Sequence, residues 1–305
     1  MRGRGVFFCP MTSPNSIGYS IAGVAFRLSS RIPDYAITLK ESFRPFETPC
    51  PAAPDGDYVF EDEHSFAFPP PDGAPLLQES DTWRFGRCAD GRLFIDTHYA
   101  PERFWQHAAL LAPDFSTGTL FPRKLSPTRP SPVSLHFPVD EQLFLHRIGW
   151  LGGALLHTCG VAYAGRAWLF CGKSGAGKST TARLWQAAGA ELLNDDRMVL
   201  RMIDGVPHAC STPWHGTIGE VKALNLPLGG VFQLEQAREN EAIRESPRAG
   251  LHRLAANLIA PFHLREPMQA ILDTLTAVAD VTPVFQLRFT PDARAVDAAR
   301  RAAGV

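Results

Sequence analysis

The chain has 305 residues, with 30 Lys and Arg against 31 Asp and Glu, so its formal net charge is −1. Hydrophobic residues at 45% and charged residues at 20% are ordinary globular usage. That balance excludes the sustained positive field of a nucleic-acid coat protein or a basic membrane-surface binder, and no run approaches the roughly 18 apolar residues of a transmembrane helix.

At roughly 100–200 residues per domain, the length predicts two domains or one large one. The start, Met1 to Pro10, is basic, but its apolar stretch is only Val6 to Cys9. A signal peptide needs an apolar core of about 7–15 residues, so a cytoplasmic location is expected, with Met11 a candidate start. The cysteines, at 9, 50, 88, 159, 171 and 210, lack CxxC pairs or metal-ligand spacing and read as reduced structural thiols. Proline is in excess: 26 residues, where usage of about 5% gives roughly 15. One cluster is Pro49, Pro51, Pro54, Pro69, Pro70, Pro71 and Pro75; the other is Pro122, Pro127, Pro130, Pro132 and Pro138. Proline removes a backbone donor and fixes φ, so both should be turns and extended connections. The second cluster predicts the boundary: a mainly β domain over 1–125, a proline-rich linker over 126–138, and a second domain over 139–305.

In the first part, β-rich runs cover Tyr19 to Leu28, Asp57 to Glu61 and Trp83 to Arg87. Asp90-Gly91, between strand-like runs within Cys88 to Tyr99, is a hairpin signal. After the boundary, Leu143, Phe144, Ile148, Leu151 and Leu155 form a helical apolar stripe within Val139 to Leu156. Strand-like runs follow at Gly160 to Tyr163 and Ala167 to Cys171. Then come a glycine-rich loop, a helix from about Ser179 to Ala188 ended by Gly189, and the short apolar run Ala190 to Leu193. Further on, Arg244, Arg248, Arg253 and Arg265 lie on a polar helical stretch, mostly as a solvated face, with one a candidate phosphate clamp. Thr282 to Phe289 reads as a strand and the segment from Pro291 as a helix, both structural.

The glycine-rich loop carries chemistry. Gly172, Lys173, Ser174, Gly175, Ala176, Gly177, Lys178 and Ser179, followed by Thr180, fit G-x-x-x-x-G-K-[ST] between a strand and a helix. Two glycines, a lysine and a hydroxyl at fixed places arise by chance in a chain this long on the order of 1 time in 100. In such a loop backbone N–H groups turn inward and cradle phosphate oxygens. Lys178 would reach the β- and γ-phosphates, and the Ser179 hydroxyl would hold Mg²⁺.

Asp195 and Asp196 follow Lys178 by 17 and 18 residues, after one helix and one short strand, a path that returns them to the loop's end of the sheet. Two adjacent carboxylates there can divide labour, one on metal and one as base toward a hydroxyl; alone, such a pair merely caps a turn. His157 precedes Lys178 by 21 residues, ahead of the first strand of the unit, and is a candidate for the same site or a satisfied core histidine. His215 with Trp214 could line an acceptor site, or be a turn histidine beside a buried tryptophan. Arg197 is expected to pair with its Asp neighbours rather than with transferred charge.

Taken together, Leu156-His157, Gly160-Val161, Leu169 to Thr180, Gly189 to Leu193 and Asp195-Asp196-Arg197 resemble the catalytic domain of bacterial HPr kinase/phosphorylase and related HPr-kinase-like serine kinases. The resemblance covers about Leu156 to Leu200. It implies a P-loop α/β fold of the HPr kinase/phosphoenolpyruvate carboxykinase type, with ATP and Mg²⁺ as cofactors. Asp195 becomes the base toward a serine hydroxyl, His157 and Lys178 its catalytic companions, and Ser179 and Asp196 the residues near the metal. The chain departs from the family in two places. Ser211 to Thr217 stands where the family has Glu-x-Arg-Gly, leaving Glu220 as a candidate substitute, and Arg244 to Gly250 stands where it has an Arg-Pro-Gly-Arg-type loop. These departures argue against phosphorylase activity and against HPr as substrate. The segment Thr212-Pro-Trp-His-Gly216 looks like that of shorter relatives associated with ribosomally made, modified peptides, which implies a peptide or small protein as partner, with no nucleic acid or membrane and homo-oligomerisation left open. The alternatives are a nucleotide-binding regulatory NTPase module and a small-molecule kinase. An ABC-type ATPase is disfavoured by the absence of a Leu-Ser-Gly-Gly-Gln signature.

Overall fold

The computed structural model describes residues 15–62, 75–80, 83–97, 105–124, 134–219 and 221–305. The readings made for Met1 to Pro10, for Met11 and for most of the 126–138 linker lie outside these residues. The fold is mixed α/β with two large sheets and a few helices, and the chain divides into two compact units. The second takes in Ile21–Val24 and Glu41–Phe46 as well as Asp140–Val305. Among the described residues no helix is long and apolar enough to cross a membrane.

The first unit is built on β1 (Ser16–Ile21), β2 (Val24–Ser30), β3 (Glu47–Thr48), β4 (Gly56–Phe60), β5 (Leu76–Glu79), β6 (Trp83–Arg87), β7 (Leu93–Thr97), β8 (Trp105–Leu111) and β9 (Thr117–Lys124). They form one sheet in the order β3-β1-β2-β4-β9-β8-β7-β6-β5. Pairings β2–β4 and β4–β9 are parallel, and β5 to β9 run as an antiparallel meander. Strands β2 and β4 alternate buried and half-buried residues, the period-2 pattern of a sheet with one covered face. Tyr19, Phe26 and Tyr58 stack on that face, and the Tyr58 hydroxyl donates to Phe115 O at 2.6 Å. The hairpin expected at Asp90-Gly91 joins β6 to β7.

The second unit contains α1 (Val139–Trp150), β10 (Gly153–Tyr163), β11 (Arg166–Cys171), α2 (Lys178–Ala187), β12 (Glu191–Asn194), β13 (Arg197–Ile203), β14 (Val206–Ser211), β15 (Asn225–Gln236), β16 (Glu241–Arg244), α3 (Pro247–Ala255), β17 (Leu258–Ile259), α4 (Arg265–Val281), β18 (Val284–Phe289) and α5 (Ala293–Ala303). The expected helix over Val139 to Leu156 is therefore too long. The backbone turns at Gly152 (φ 71°), and Gly153 to His157 pair with β13 instead. Leu155 owes its burial to the sheet, because an apolar residue fits either period when the run is short. Likewise the strand expected from Gly160 begins at Gly153, and His157 lies on it rather than ahead of it. Arg244, expected on a helix, ends the edge strand β16, while Arg248 and Arg253 sit on α3 and Arg265 opens α4.

Strand β10 pairs with β13 along its first half and with β11 along its second. Strand β15 pairs with β14 at its start and in parallel with β11 and β18 further on. Strand β11 is enclosed by β10 and β15, and Ala167 to Cys171 are all buried, the uninterrupted apolar run of a central strand. Helix α2 covers one face of this strand through Trp185, whose ring centroid lies 5.5 Å from Phe170 and 6.3 Å from Trp168. Phe232 and Phe285 extend that aromatic layer, with centroids 5.1 Å apart. Arg300 of α5 lies over Tyr163 and donates to Ala188 O at the end of α2.

Helix α1 meets the loop before α4 through two histidines. His146 Nδ1 lies 2.8 Å from Gln142 O and its Nε2 lies 3.0 Å from His263 Nε2. A carbonyl only accepts, so His146 carries its proton on Nδ1, and His263 Nε2–H donates to His146 Nε2. Burial holds both rings neutral, His146 down to about 3 and His263 to about 4. In the unfolded chain both would take up protons near pH 6.5. The folded chain thus binds fewer protons between about pH 6.5 and 4, and stability falls as pH drops through that window.

Two outcomes are expected. Lowering the pH from about 7 to 5.5 should cost roughly 2 kcal/mol of stability in urea unfolding, and a His146→Gln, His263→Gln double variant should show a flatter dependence. Trp185→Ala should cost about 3–5 kcal/mol in the same assay, because it empties the contact between α2 and β11.

Candidate functional site

The glycine-rich loop leaves β11 at its C-terminal end, where ligands bind in open α/β sheets. Gly177 is the N-cap of α2 in a left-handed conformation (φ 104°), and a Cβ there would come within 2.8 Å of the Phe289 ring. Glycine is therefore required both by backbone and by space. Lys178 is buried, and its ammonium donates to Gly172 O at 2.8 Å and reaches Lys173 O at 3.4 Å. Burial lowers its pKa, against the attraction of Asp196.

Register brings the remaining residues to this loop. On β10, His157 is paired with Arg197 of β13 and the next residue, Thr158, with Cys171 of β11. Asp196, one residue before Arg197, thereby meets the histidine: Asp196 Oδ1 lies 3.2 Å from His157 Nδ1. Asp196 also holds Arg197, which in turn makes an ion pair of 2.8 Å with Glu141. Arg197 thus pairs with acidic neighbours, as expected. Burial lowers the His157 pKa, with the Lys178 charge adding to it and Asp196 opposing. A lowered pKa favours the neutral ring at pH 7.

Asp195 is held differently. It is only 4% exposed, and its two oxygens accept backbone N–H bonds from Gly216 and Ile218, each at 2.7 Å. A Cβ at Gly216 would lie 2.9 Å from Asp195 Oδ2, so only glycine permits this approach. Each carboxylate oxygen has a second lone-pair direction to offer.

The turn that presents both carboxylates depends on Asn194, which is fully buried. Its amide donates to Thr212 O at 2.8 Å and Trp214 O at 3.0 Å, and its carbonyl accepts from Asp196 N at 2.8 Å and Arg197 N at 3.0 Å. Two donors and two lone pairs are all used, the full capacity of the side chain. Sequence reasoning missed Asn194, Gly216 and Ile218. The preference of Asn for bonding backbone N–H groups two residues on was a usable signal for the first; backbone donors leave none.

One cleft of about 380 Å³ is lined by His157, Ser174, Gly175, Gly177, Lys178, Ser179, Thr180, Asp195, Asp196, Gly216 and Thr217. It brings together the three residues expected to be catalytic, the two expected near metal, and most of the loop. Gly172 is buried behind the loop, and Lys173 is exposed beside it. His215 and Trp214 do not line the cleft: Trp214 is buried against Phe144, with centroids 5.1 Å apart, and His215 faces solvent. Arg253 is engaged by Glu245 through two nitrogens and is not a phosphate clamp here. Glu220 lies outside the described residues.

The donor set suits a hard cation: a hydroxyl and carboxylates, with room for phosphate oxygens. Among the described residues no group of three or more His, Cys, Asp and Glu converges on a common point. Mg²⁺ does not need such a cage, since it is commonly held by one or two carboxylates together with substrate phosphates. A larger hollow of about 830 Å³ lies on the first unit. Of its charged lining residues, Arg27 pairs with Asp57, Arg31 with Glu61 and Arg92 with Asp90.

No protein-family model matches the chain, and no curated protein is similar to it.

Asn194→Asp is nearly isosteric but turns both donors into acceptors facing the Thr212 and Trp214 carbonyls. It should cost at least about 2 kcal/mol in urea unfolding.

Proposed function

We propose that the second unit is an HPr-kinase-like P-loop kinase that transfers the γ-phosphate of ATP to a serine hydroxyl of a peptide or small protein. The observation that carries this reading is the convergence, in one cleft, of a phosphate loop with two carboxylates held in opposite ways. Asp195 is held by the backbone N–H groups of Gly216 and Ile218. Asp196 is tied to Arg197 and His157.

The roles follow from these partners. The backbone N–H groups of the loop and the N-terminus of α2 bind the phosphates. Lys178 exchanges its bonds to Gly172 O and Lys173 O for stronger, charge-assisted bonds to phosphate oxygens. Ser179 and Asp196 would hold Mg²⁺, which supplies charge neutralisation between the β- and γ-phosphates. Asp195 accepts the proton of the acceptor hydroxyl as the new O–P bond forms and the bond to the ADP oxygen breaks. His157, in the same cleft, orients the hydroxyl. Cytoplasmic location and a peptide acceptor rest on the sequence reading alone.

The test is labelled ATP with serine-containing peptides encoded beside the gene. Label should appear on a peptide serine, and Asp195→Asn should lower transfer by about 10²–10⁴-fold while ATP still binds. The binding control is needed because the amide of the variant opposes one of the two N–H groups that Asp195 accepts. ATP binding with no hydroxyl acceptor, and hydrolysis indifferent to Asp195→Asn, would overturn the kinase and favour a regulatory NTPase.

A further inference from the structure

Helix α1 contributes no residue to the lining of the cleft, yet two of its side chains support the turn that carries the carboxylates. Glu141 and Phe144 are three residues apart and therefore share a face of the helix. Phe144 packs on Trp214, whose carbonyl accepts from the Asn194 amide at 3.0 Å. The same face turns Glu141 toward Arg197, with Glu141 Oε2 2.8 Å from Arg197 Nε. The glutamate is only 4% exposed. Its buried charge is balanced by the guanidinium and by the positive end of α1, in whose first turn it lies.

Arg197 is fixed between its partners. Its N–H donates to Asn194 Oδ1 at 3.0 Å, and its carbonyl accepts from Thr212 Oγ1 at 2.8 Å. With the backbone pinned at both groups, the guanidinium meets Glu141 through Nε and Asp196 through Nη1. Asp196 turns Oδ2 to Arg197 and Oδ1 to His157. Glu141, Arg197 and Asp196 thus form a row of one cation between two carboxylates, and of the three only Asp196 lines the cleft.

A carboxylate that carries the whole charge of an arginine is a poor ligand for a dication. The guanidinium occupies its lone pairs, and the arginine charge repels the metal. Sharing the arginine with a second carboxylate changes this. The row then carries one net negative charge, as Asp196 would with no arginine beside it, while the fork of the guanidinium still fixes the direction of the carboxylate. Mg²⁺ is commonly held by one or two carboxylates together with substrate phosphates, so the charge left on such a ligand decides how well the metal binds.

Resting on the kinase reading above, we propose that Glu141 is a positioning residue for the metal site: it offsets the charge of Arg197, which leaves Asp196 oriented and still able to bind Mg²⁺. Glu141 touches neither nucleotide nor metal and acts through Arg197.

Calorimetric titration of ATP into the full chain, once with saturating Mg²⁺ and once with a chelator, tests this. The wild type should bind ATP at least about tenfold more tightly with Mg²⁺. Glu141→Gln keeps the shape of the side chain, and Arg197 retains Asp196, so no buried charge is left without a partner. This variant should lower the ratio of the two affinities by about five- to tenfold, with no loss of the metal-free affinity. The double variant Glu141→Gln, Arg197→Gln removes both charges of the pair and should return the ratio to within about threefold of the wild type. An unchanged ratio in Glu141→Gln overturns the proposal. So does an equal loss of affinity with and without Mg²⁺, which is the mark of a merely structural tie, and so does a double variant that shows no recovery. Wild-type affinity that is the same in both titrations overturns the metal role of Asp196, and this proposal with it, while leaving nucleotide binding in place. Absence of ATP binding in either titration overturns the kinase reading itself.

Discussion

Strand β10 is paired with different strands along its two halves, and the geometry of the cleft depends on where it changes partner. Up to His157 it is hydrogen-bonded to β13, and from Thr158 it is hydrogen-bonded to β11. Strand β11 ends opposite that junction, so the loop that leaves it is beside the histidine. Strand β13 begins there, so the residue preceding it, Asp196, is within reach of the same ring. A register slip of one residue would turn His157 to the other face of the sheet and separate it from both. The aromatic layer of Trp168, Phe170, Trp185 and Phe232 then holds α2 against β11, which fixes the direction in which the loop opens.

The two adjacent carboxylates show how neighbouring residues come to be held in different ways, one by backbone and one by side chains. Asp195 is almost fully buried, and burying a carboxylate is costly unless hydrogen bonds replace its water. Here the replacements are two backbone N–H groups from the 216–218 segment. Asp196 is more exposed and is satisfied by Arg197 and His157. Asn194 makes both arrangements possible at once, since it ties the carboxylate turn to the carbonyls of Thr212 and Trp214 on the segment that supplies the N–H groups. Removing that one amide would release the turn and the donor segment together.

Much of the site was legible as local pattern. The glycine-lysine-serine spacing, the apolar run of β11 before it and the helix after it are short-range features, and the structure contains that strand, loop and helix in order. The strand and helix at the C-terminus were legible for the same reason. Where the sequence misled, two readings competed. Leu151 and Leu155 satisfy a helical stripe, but two glycines at 152 and 153 let the chain turn into a sheet edge that offered partners. Trp214 and His215 are adjacent and both suited to a binding surface, yet one packs on Phe144 and the other faces solvent. Nothing in their spacing distinguishes inward from outward.

By itself, the sequence determined the glycine-rich loop between a strand and a helix, the balance of charge and the presence of a carboxylate pair one helix and one strand further on. These are properties of residue type and short spacing, and they do not depend on what lies across the sheet. Only the tertiary structure decided which carboxylate is held by backbone N–H groups and which by side chains, and that Asn194 supports both. Those outcomes come from strand register and from backbone donors, and a backbone N–H is the same in every residue that carries one, so no composition or motif records where it will point.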